Sequence, residues 1–173
     1  MVATNGENVT SWKQMILEGI DFDSYSESSF TFGAPISSVD LSRLEEQSAI
    51  GVPLDLRDLL CEFNGLFHRY GDANEPVLFD SNQMTRAIEY YRSWDVPTEN
   101  LLRWSRNIWY LTQCNGFACM SGIVIQQLGQ FQPGDFIKFD HDDLESAAEP
   151  DQLFRKCADD LATFIDDATI GFC

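Results

Sequence analysis

Hydrophobic residues in the first half of the chain recur at helical spacing. The most regular run places apolar residues at i, i+3, i+4 and i+7, which are Leu56, Leu59, Leu60 and Phe63. This spacing predicts a short helix with one apolar face. Pro53 fits its first turn, because the fixed φ of proline is already helical and an N–H there would lack a partner anyway. Asn64-Gly65 can adopt positive φ, and the pair is therefore predicted to end the helix.

Three further helices are predicted in this half of the chain. One covers residues 11–20 with Ser11 as its cap, and a polar loop follows over residues 21–29. The next is capped by Ser37 or Ser38. Beyond Gly65 a loop is expected, then a short apolar run over residues 77–79, and then a helix that opens at Asp80 or Ser81.

The segment between residues 106 and 140 has the composition of β-strands. Dense β-favouring residues predict strands over 108–111, 123–128 and 135–139. Asn115-Gly116 is a strong signal for a two-residue hairpin turn. Consecutive strands with short connections imply an antiparallel meander. Helices, then a sheet, then a last helix together predict a single domain of the α+β class.

The last helix is predicted from about Pro150 to Thr169. Its apolar face consists of Phe154, Cys157, Ala158, Leu161, Phe164, Ile165 and Ala168. The opposite face carries two acidic pairs, Asp159-Asp160 and Asp166-Asp167, which would stack along one exposed ridge because seven residues make nearly two turns. The simpler interpretation is a solvated polar face. The alternative is a surface that meets lysines and arginines of a partner.

The segment around the proline-started helix resembles the sequence pattern of the SUKH superfamily. That pattern has an apolar-Glu pair, an apolar-Pro pair, a short helix with an aromatic-rich apolar face, and Asn-Gly at its end. After the apolar Leu44, the matching residues are Glu45, Val52, Pro53, Leu59, Leu60, Phe63, Asn64 and Gly65. Val52 replaces the more usual Leu, and Ala49 stands where Gly is common, but both changes keep an apolar or small side chain.

The resemblance carries expectations about fold and function. It covers roughly residues 34–168 and implies a SUKH-like α+β domain over residues 34–170, preceded by a helix-and-loop extension over residues 1–33. The superfamily includes bacterial polymorphic-toxin immunity proteins and yeast cell-wall synthesis regulators. An immunity-type protein that binds and neutralises a cognate protein toxin stoichiometrically is therefore expected. A general intracellular regulatory or scaffold protein, like the yeast relatives, is the alternative.

The charge of the chain narrows the classes of partner. It has 28 acidic and 11 basic residues, a formal net charge of −17, and nearly half of that charge falls in the last 39 residues. Such a field repels nucleic acid and anionic membranes. It would attract a basic protein, although an acidic surface also serves solubility alone. A protein partner, no nucleic acid and no membrane are therefore predicted, while the oligomeric state is left open.

Other candidate binding residues are aromatic or acidic. Tyr90, Trp94 and Trp104 lie among arginines, a composition typical of interface centres, although Trp104 could equally close the core. Asp142 and Asp143 would add an acidic rim. Adjacent residues of an extended segment seldom converge on one ion, and nucleotide-binding or nucleophile motifs are missing from the sequence. We therefore expect no enzyme activity, no cofactor and no metal.

The sequence also predicts a cytoplasmic protein. No apolar run approaches the roughly 18 residues that a membrane helix needs, and the first residues lack the pattern of a signal peptide. The chain has five cysteines without C-x-x-C spacing, and this odd count predicts reduced thiols. Cys61 and Cys157 are expected on apolar helix faces.

Overall fold

The computed structural model describes residues 11–20, 29–91, 99–113, 119–140 and 147–170. The helices are α1 Trp12–Gly19, α2 Ser38–Gln47, α3 Leu54–Glu62, α4 Ser81–Tyr91, α5 Glu99–Trp104, α6 Pro150–Leu153 and α7 Leu161–Ile170. The strands are β1 Phe30–Phe32, β2 Leu66–Tyr70, β3 Ala73–Leu78, β4 Ile108–Gln113, β5 Cys119–Val124, β6 Phe136–Asp140 and β7 Arg155–Ala158. The 3₁₀ turn Ser105–Asn107 joins α5 to β4.

The strands form two antiparallel sheets, which confirms the predicted α+β class. The sheets have the orders β1-β2-β3 and β4-β5-β6-β7, and the second is a meander as predicted. They meet where the Phe79 N–H donates to the Leu111 carbonyl at 2.8 Å. Beside this bond, the Thr112 hydroxyl donates to the Val77 carbonyl at 2.5 Å. The two sheets and their helices therefore make one compact domain.

The first sheet contradicts the prediction of a loop after Gly65. Residues 66–78 form a hairpin in which Tyr70 pairs with Ala73 around the Gly71-Asp72 turn. The tip of the hairpin, residues 71–75, is exposed, and its polar residues therefore have the composition of a loop. At the other end of the hairpin, Leu66, Val77 and Leu78 are buried. The predicted strand over 123–128 is also displaced, because the structure ends β5 at Val124. The Asn115-Gly116 turn lies outside the described residues.

The prediction of one long C-terminal helix is wrong. Residues 150–170 form the short helix α6, the strand β7 and the helix α7. β7 pairs with β6, with Phe136 opposite Ala158 and Lys138 opposite Arg155. An apolar residue every three or four positions suited a helix. The pairing with β6, however, supplies backbone hydrogen bonds that local sequence does not show.

Helix starts were predicted more accurately than the elements near the C-terminus. The Ser11 and Ser37 side chains cap α1 and α2 by accepting hydrogen bonds from Gln14 and Asp40. The Asp80 carboxylate accepts from the N–H groups of Asn82 and Gln83, at 2.9 and 2.8 Å, at the start of α4. Within the predicted extension over residues 1–33, α1 buries Trp12 and Ile16 in the common core. In the same part of the chain, β1 pairs with β2.

The cysteines differ from their predicted environments. Cys61 is exposed on α3, and Cys157 lies half-buried on β7 instead of on a helix. Cys119 is disulfide-bonded, which contradicts the prediction that all thiols are reduced. Disulfides persist mainly in oxidising compartments, and the cytoplasmic location stays a prediction. No helix among the described residues is long and apolar enough to cross a membrane.

Candidate functional site

The residues of the SUKH-like pattern form one connected structural unit. Leu44, Val52, Leu59, Leu60 and Phe63 are all buried, the last without any exposed surface. An ion pair between Glu45 on α2 and Arg57 on α3 ties the two helices together. Pro53 immediately precedes α3, and its carbonyl accepts from the Arg57 N–H at 2.8 Å. The unit therefore combines a buried apolar face with a partly buried ion pair between the two helices.

Asn64 joins three parts of the chain at the end of α3. Its side-chain oxygen accepts from the Ser81 N–H at 2.7 Å, and its side-chain nitrogen donates to the Ser81 hydroxyl at 3.0 Å. Its own N–H donates to the Ala34 carbonyl at 3.1 Å. Asn64 thus links the end of α3 to the start of α4 and to the segment before α2, and its role is structural.

Gly65 is required by its backbone conformation and by close packing. Its φ is +97°, and a Cβ there would lie 3.1 Å from both the backbone nitrogen and the Cβ of Asp80. Its carbonyl accepts from the Gly33 N–H at 2.8 Å. A Cβ on Gly33 would in turn lie 2.2 Å from the Asn64 carbonyl oxygen. The Asn-Gly pair therefore brings β1, β2 and the start of α4 within backbone contact.

Glu62 has a structural role that the sequence did not reveal. Its carboxylate accepts from the backbone N–H groups of Trp12 and Lys13, at 2.9 and 3.1 Å. These are the first two residues of α1, where a negative charge is favourable. The contact spans about fifty residues of sequence, so no local pattern signals it. Glu62 fixes the N-terminal helix on the SUKH-like unit.

The four aspartates near the C-terminus do not form one helical ridge. Asp159 and Asp160 lie between β7 and α7, and Asp166 and Asp167 are exposed on α7 itself. Asp159 is 92% exposed and pairs with Lys156 at 2.9 Å. Lys156 also lies 3.5 Å from Asp135. The surface is acidic as predicted, but only Asp166 and Asp167 project from a helix.

Asp160 acts as the cap of α7. Its carboxylate accepts from the Thr163 N–H at 2.8 Å, and its carbonyl accepts from the Phe164 N–H at 3.0 Å. Hydrogen bonds from the Thr163 backbone and side chain hold the pKa of Asp160 below its usual value. Loss of the Asp160 carboxylate would therefore disturb the start of α7.

Trp104 lies in the core, which is the second of the two positions that the sequence allowed for it. It is 5% exposed and packs edge-on against Phe154, with ring centroids 6.2 Å apart. The Arg103 guanidinium lies 5.9 Å from the Trp104 ring. Trp104 thus offers a partner little surface. Trp94, Asp142, Asp143 and the side chain of Tyr90 lie outside what the structure describes, and their binding roles stay predictions.

The described residues show few features suited to catalysis. They contain no group of three or more His, Cys, Asp or Glu side chains that could hold a metal ion. Burial raises the pKa of the Cys157 thiol to about 11, so its nucleophilic thiolate is scarce at neutral pH. An apolar cavity of about 10 Å³ between α3, α4 and α7 has room for one water at most.

No protein-family model matches this chain, and no curated protein matches it. The SUKH resemblance therefore rests on the motif residues and stays a prediction.

Proposed function

We propose that this chain is a SUKH-type immunity protein that binds and neutralises a cognate basic protein toxin, such as a nuclease, by stoichiometric protein–protein interaction. The observation that carries the proposal is the net charge of −17, combined with exposed carboxylates on the last elements of the fold. Nuclease toxins that bind nucleic acid need basic surfaces. An acidic protein of this kind is their electrostatic complement.

The basic residues of the C-terminal region do little to offset its charge. Residues 135–173 contain eleven acidic and three basic residues. One of the three, Lys156, is engaged by Asp135 and Asp159. Asp166 and Asp167 lie outward on α7, while that helix buries Leu161, Phe164 and Ile165. A basic partner could thus approach α7 without any change in the core.

The proposed mechanism requires binding alone. The chain would cover the toxin's active site or an essential surface beside it. Its negative field would speed the encounter, so association would slow strongly as salt is raised. Dissociation depends on short-range contacts and would change much less with salt. An association rate that is independent of salt would remove the electrostatic part of the proposal.

The first test isolates the partner and asks whether it is a toxin. The tagged protein is used at low salt to capture proteins from its native lysate. A dominant basic partner is then expressed alone and together with this chain. The proposal expects that the partner alone stops growth, that co-expression restores it, and that the complex has a fixed stoichiometry. Many weak partners would favour the regulatory or scaffold alternative, and no partner would overturn the proposal.

A matched pair of variants locates the surface. Asp166→Lys with Asp167→Lys reverses two exposed charges on α7. Asp72→Lys with Glu75→Lys makes the same charge change on the exposed β2–β3 hairpin. We expect the α7 variant to slow association far more than the hairpin variant. Equal effects of the two variants would assign the attraction to net charge and not to α7.

A further inference from the structure

The large exposed apolar side chains of the described chain all belong to the α2–α3 segment. They are Val39, 76% exposed, Ile50, 48% exposed, and Leu54, 75% exposed. Single exposed apolar residues are common and need no explanation. Ile50, however, lies in the loop between α2 and α3, and Leu54 begins α3 four residues later, with half-buried Pro53 beside it. Two of the three exposed apolar side chains therefore make an apolar patch within five residues of chain at the start of α3, whereas Val39 lies near the start of α2.

The fold does not require an apolar side chain at Leu54. Val52 and Leu56, two residues on either side of it, supply the buried contacts of this segment. Leu54 is the first residue of α3 and lies about 200° around the helix from Leu56, so it faces away from the core. A polar residue would be better solvated at this position without any loss of packing.

The loop that carries the patch is held in place. The Ala49 N–H donates to the Ile125 carbonyl at 3.1 Å, just beyond β5. The Ile50 side chain lies 3.9 Å from the position of a Cβ built on Gly134, in the β5–β6 connection. A binding surface whose backbone is already ordered loses less entropy when a ligand binds.

The patch has an acidic rim that is not neutralised. Glu46, in the last turn of α2, and Asp55, next to Leu54, are both exposed. Neither carboxylate has an ion-pair partner within the described part of the chain. The two basic residues of α2 and α3 are already paired, Arg57 with Glu45 and Arg43 with Asp40. Along the chain, Ile50 and Leu54 thus lie between two unpaired carboxylates, and this order complements a segment in which apolar residues alternate with lysine or arginine.

We propose that Ile50 and Leu54, together with Glu46 and Asp55, form a docking surface for a basic, partly apolar segment of a protein partner. We call these four residues the Leu54 patch. The proposal builds on the proposed function in that the segment would belong to the toxin. It differs in assigning the short-range contacts to the start of α3, while the C-terminal acidic region supplies long-range attraction.

The test uses a defined probe, a short synthetic peptide in which lysine and leucine alternate. Amide NMR signals of the ¹⁵N-labelled full chain are followed during titration with the peptide. We expect shifts concentrated in residues 46–55. Two control peptides separate the contributions, one with serine in place of leucine and one with glutamate in place of lysine. Both should bind more weakly, because the first lacks the apolar contacts and the second lacks the attraction to the carboxylates.

Variants of the protein provide the matched control. Leu54→Ser and Ile50→Ser remove apolar surface from the Leu54 patch, and Val39→Ser removes a side chain of the same exposure elsewhere. All three positions are exposed, so little loss of stability is expected, and thermal unfolding checks this. We expect Leu54→Ser to weaken peptide binding roughly tenfold or more and Val39→Ser to leave it unchanged.

Removal of the Glu46 and Asp55 charges tests the electrostatic contribution to peptide binding. Glu46→Gln with Asp55→Asn should weaken binding and reduce its dependence on salt. The control, Asp72→Asn with Glu75→Gln, changes the net charge equally on the β2–β3 hairpin and should have little effect.

Several results would overturn the proposal. One is a set of shifts outside residues 46–55, and another is an equal loss of affinity in Val39→Ser and Leu54→Ser. A third is that the peptide with serine in place of leucine binds as tightly as the lysine-leucine peptide. A dimer of the chain alone that Leu54→Ser dissociates would assign the patch to a second copy instead.

The outcome for the patch is separable from the outcome for the proposed function. If Leu54→Ser protein still neutralises a cognate toxin fully, the patch assignment fails and the immunity function stands. If the peptide binds the patch but no toxin is neutralised, the patch stands and the proposed function fails.

Discussion

The SUKH-like segment and the C-terminal acidic segment differ in how far along the chain their polar contacts reach. In the first, Asn64 bonds Ser81, and Glu62 bonds the start of α1 about fifty residues away. In the second, Asp160 bonds Thr163 and Lys156 pairs with Asp159, both within three residues. Its longer contacts, from Lys156 to Asp135 and from the Gln130 N–H to Asp151, span about twenty residues and not fifty. Long-range polar contacts set the arrangement of elements, while local ones only finish the ends of elements.

This difference predicts which substitutions the fold tolerates. A side chain of the SUKH-like segment is constrained by several elements at once, so its replacement disturbs all of them. Asp159, by contrast, is 92% exposed and pairs with Lys156 three residues away. Its replacement should therefore leave the fold intact.

The largest expected effect is that of Gly65→Ala. The positive φ and the close approach to Asp80 should together cost roughly 2–3 kcal/mol of unfolding free energy. Gly71→Ala is the control, because Gly71 also has a positive φ, +59°, but no atom lies within 4 Å of its Cβ position. It should cost about 1 kcal/mol. Urea unfolding measures both, and equal losses would show that the contact with Asp80 carries no energy.

Asn64→Ala is expected to follow closely. It leaves the N–H of buried Ser81 without its acceptor, at a cost of about 2 kcal/mol. Asn74→Ala, at an exposed position of β3, should change stability by less than about 0.5 kcal/mol. The same urea titrations apply, and a neutral Asn64→Ala would remove Asn64 from the centre of the long-range network.

The cysteines of the two segments should differ in reactivity. Cys61 on α3 is exposed, whereas burial raises the pKa of Cys157 on β7 to about 11. At pH 8 we expect iodoacetamide to modify Cys61 at least roughly tenfold faster than Cys157. The rate at Cys157 should keep rising with pH up to about 11. Peptide mapping by mass spectrometry measures both sites, and equal rates at pH 8 would contradict the buried environment of Cys157.

The smallest effect is expected for Asp160→Ala. Loss of this cap should cost about 1 kcal/mol at pH 7. Because the pKa of folded Asp160 is lowered, the carboxylate stabilises the fold above the pKa of the unfolded chain, near 4. This contribution is lost as pH falls through the folded pKa. The gap between wild type and variant should therefore narrow below about pH 4.

Asp159→Ala serves as the control for that comparison, since Asp159 is 92% exposed and caps no helix. Its effect on the urea midpoint should be small at every pH. A gap for Asp160→Ala that stays constant down to acidic pH would contradict a role for the ionised carboxylate.

Sequence reasoning succeeded where a backbone requirement is local. Ser11 and Ser37 at helix starts and the positive φ of Gly65 were assigned correctly, because each residue type favours one backbone conformation, although α3 already ends at Glu62 with Phe63 extended. It failed for β7, which resembles part of a helix until β6 pairs with it. The sequence also did not decide whether Trp104 lies in the core or at an interface, because an amphipathic residue next to arginines suits both environments.

The sequence by itself determined the α+β class, the helix starts, the apolar face of α3 and the net charge, since these depend on residue type and short spacing. Only the tertiary structure decided that residues 155–158 are a strand and that Glu62 holds α1. Each of these depends on contacts between residues far apart in the chain, and local spacing carries no record of them.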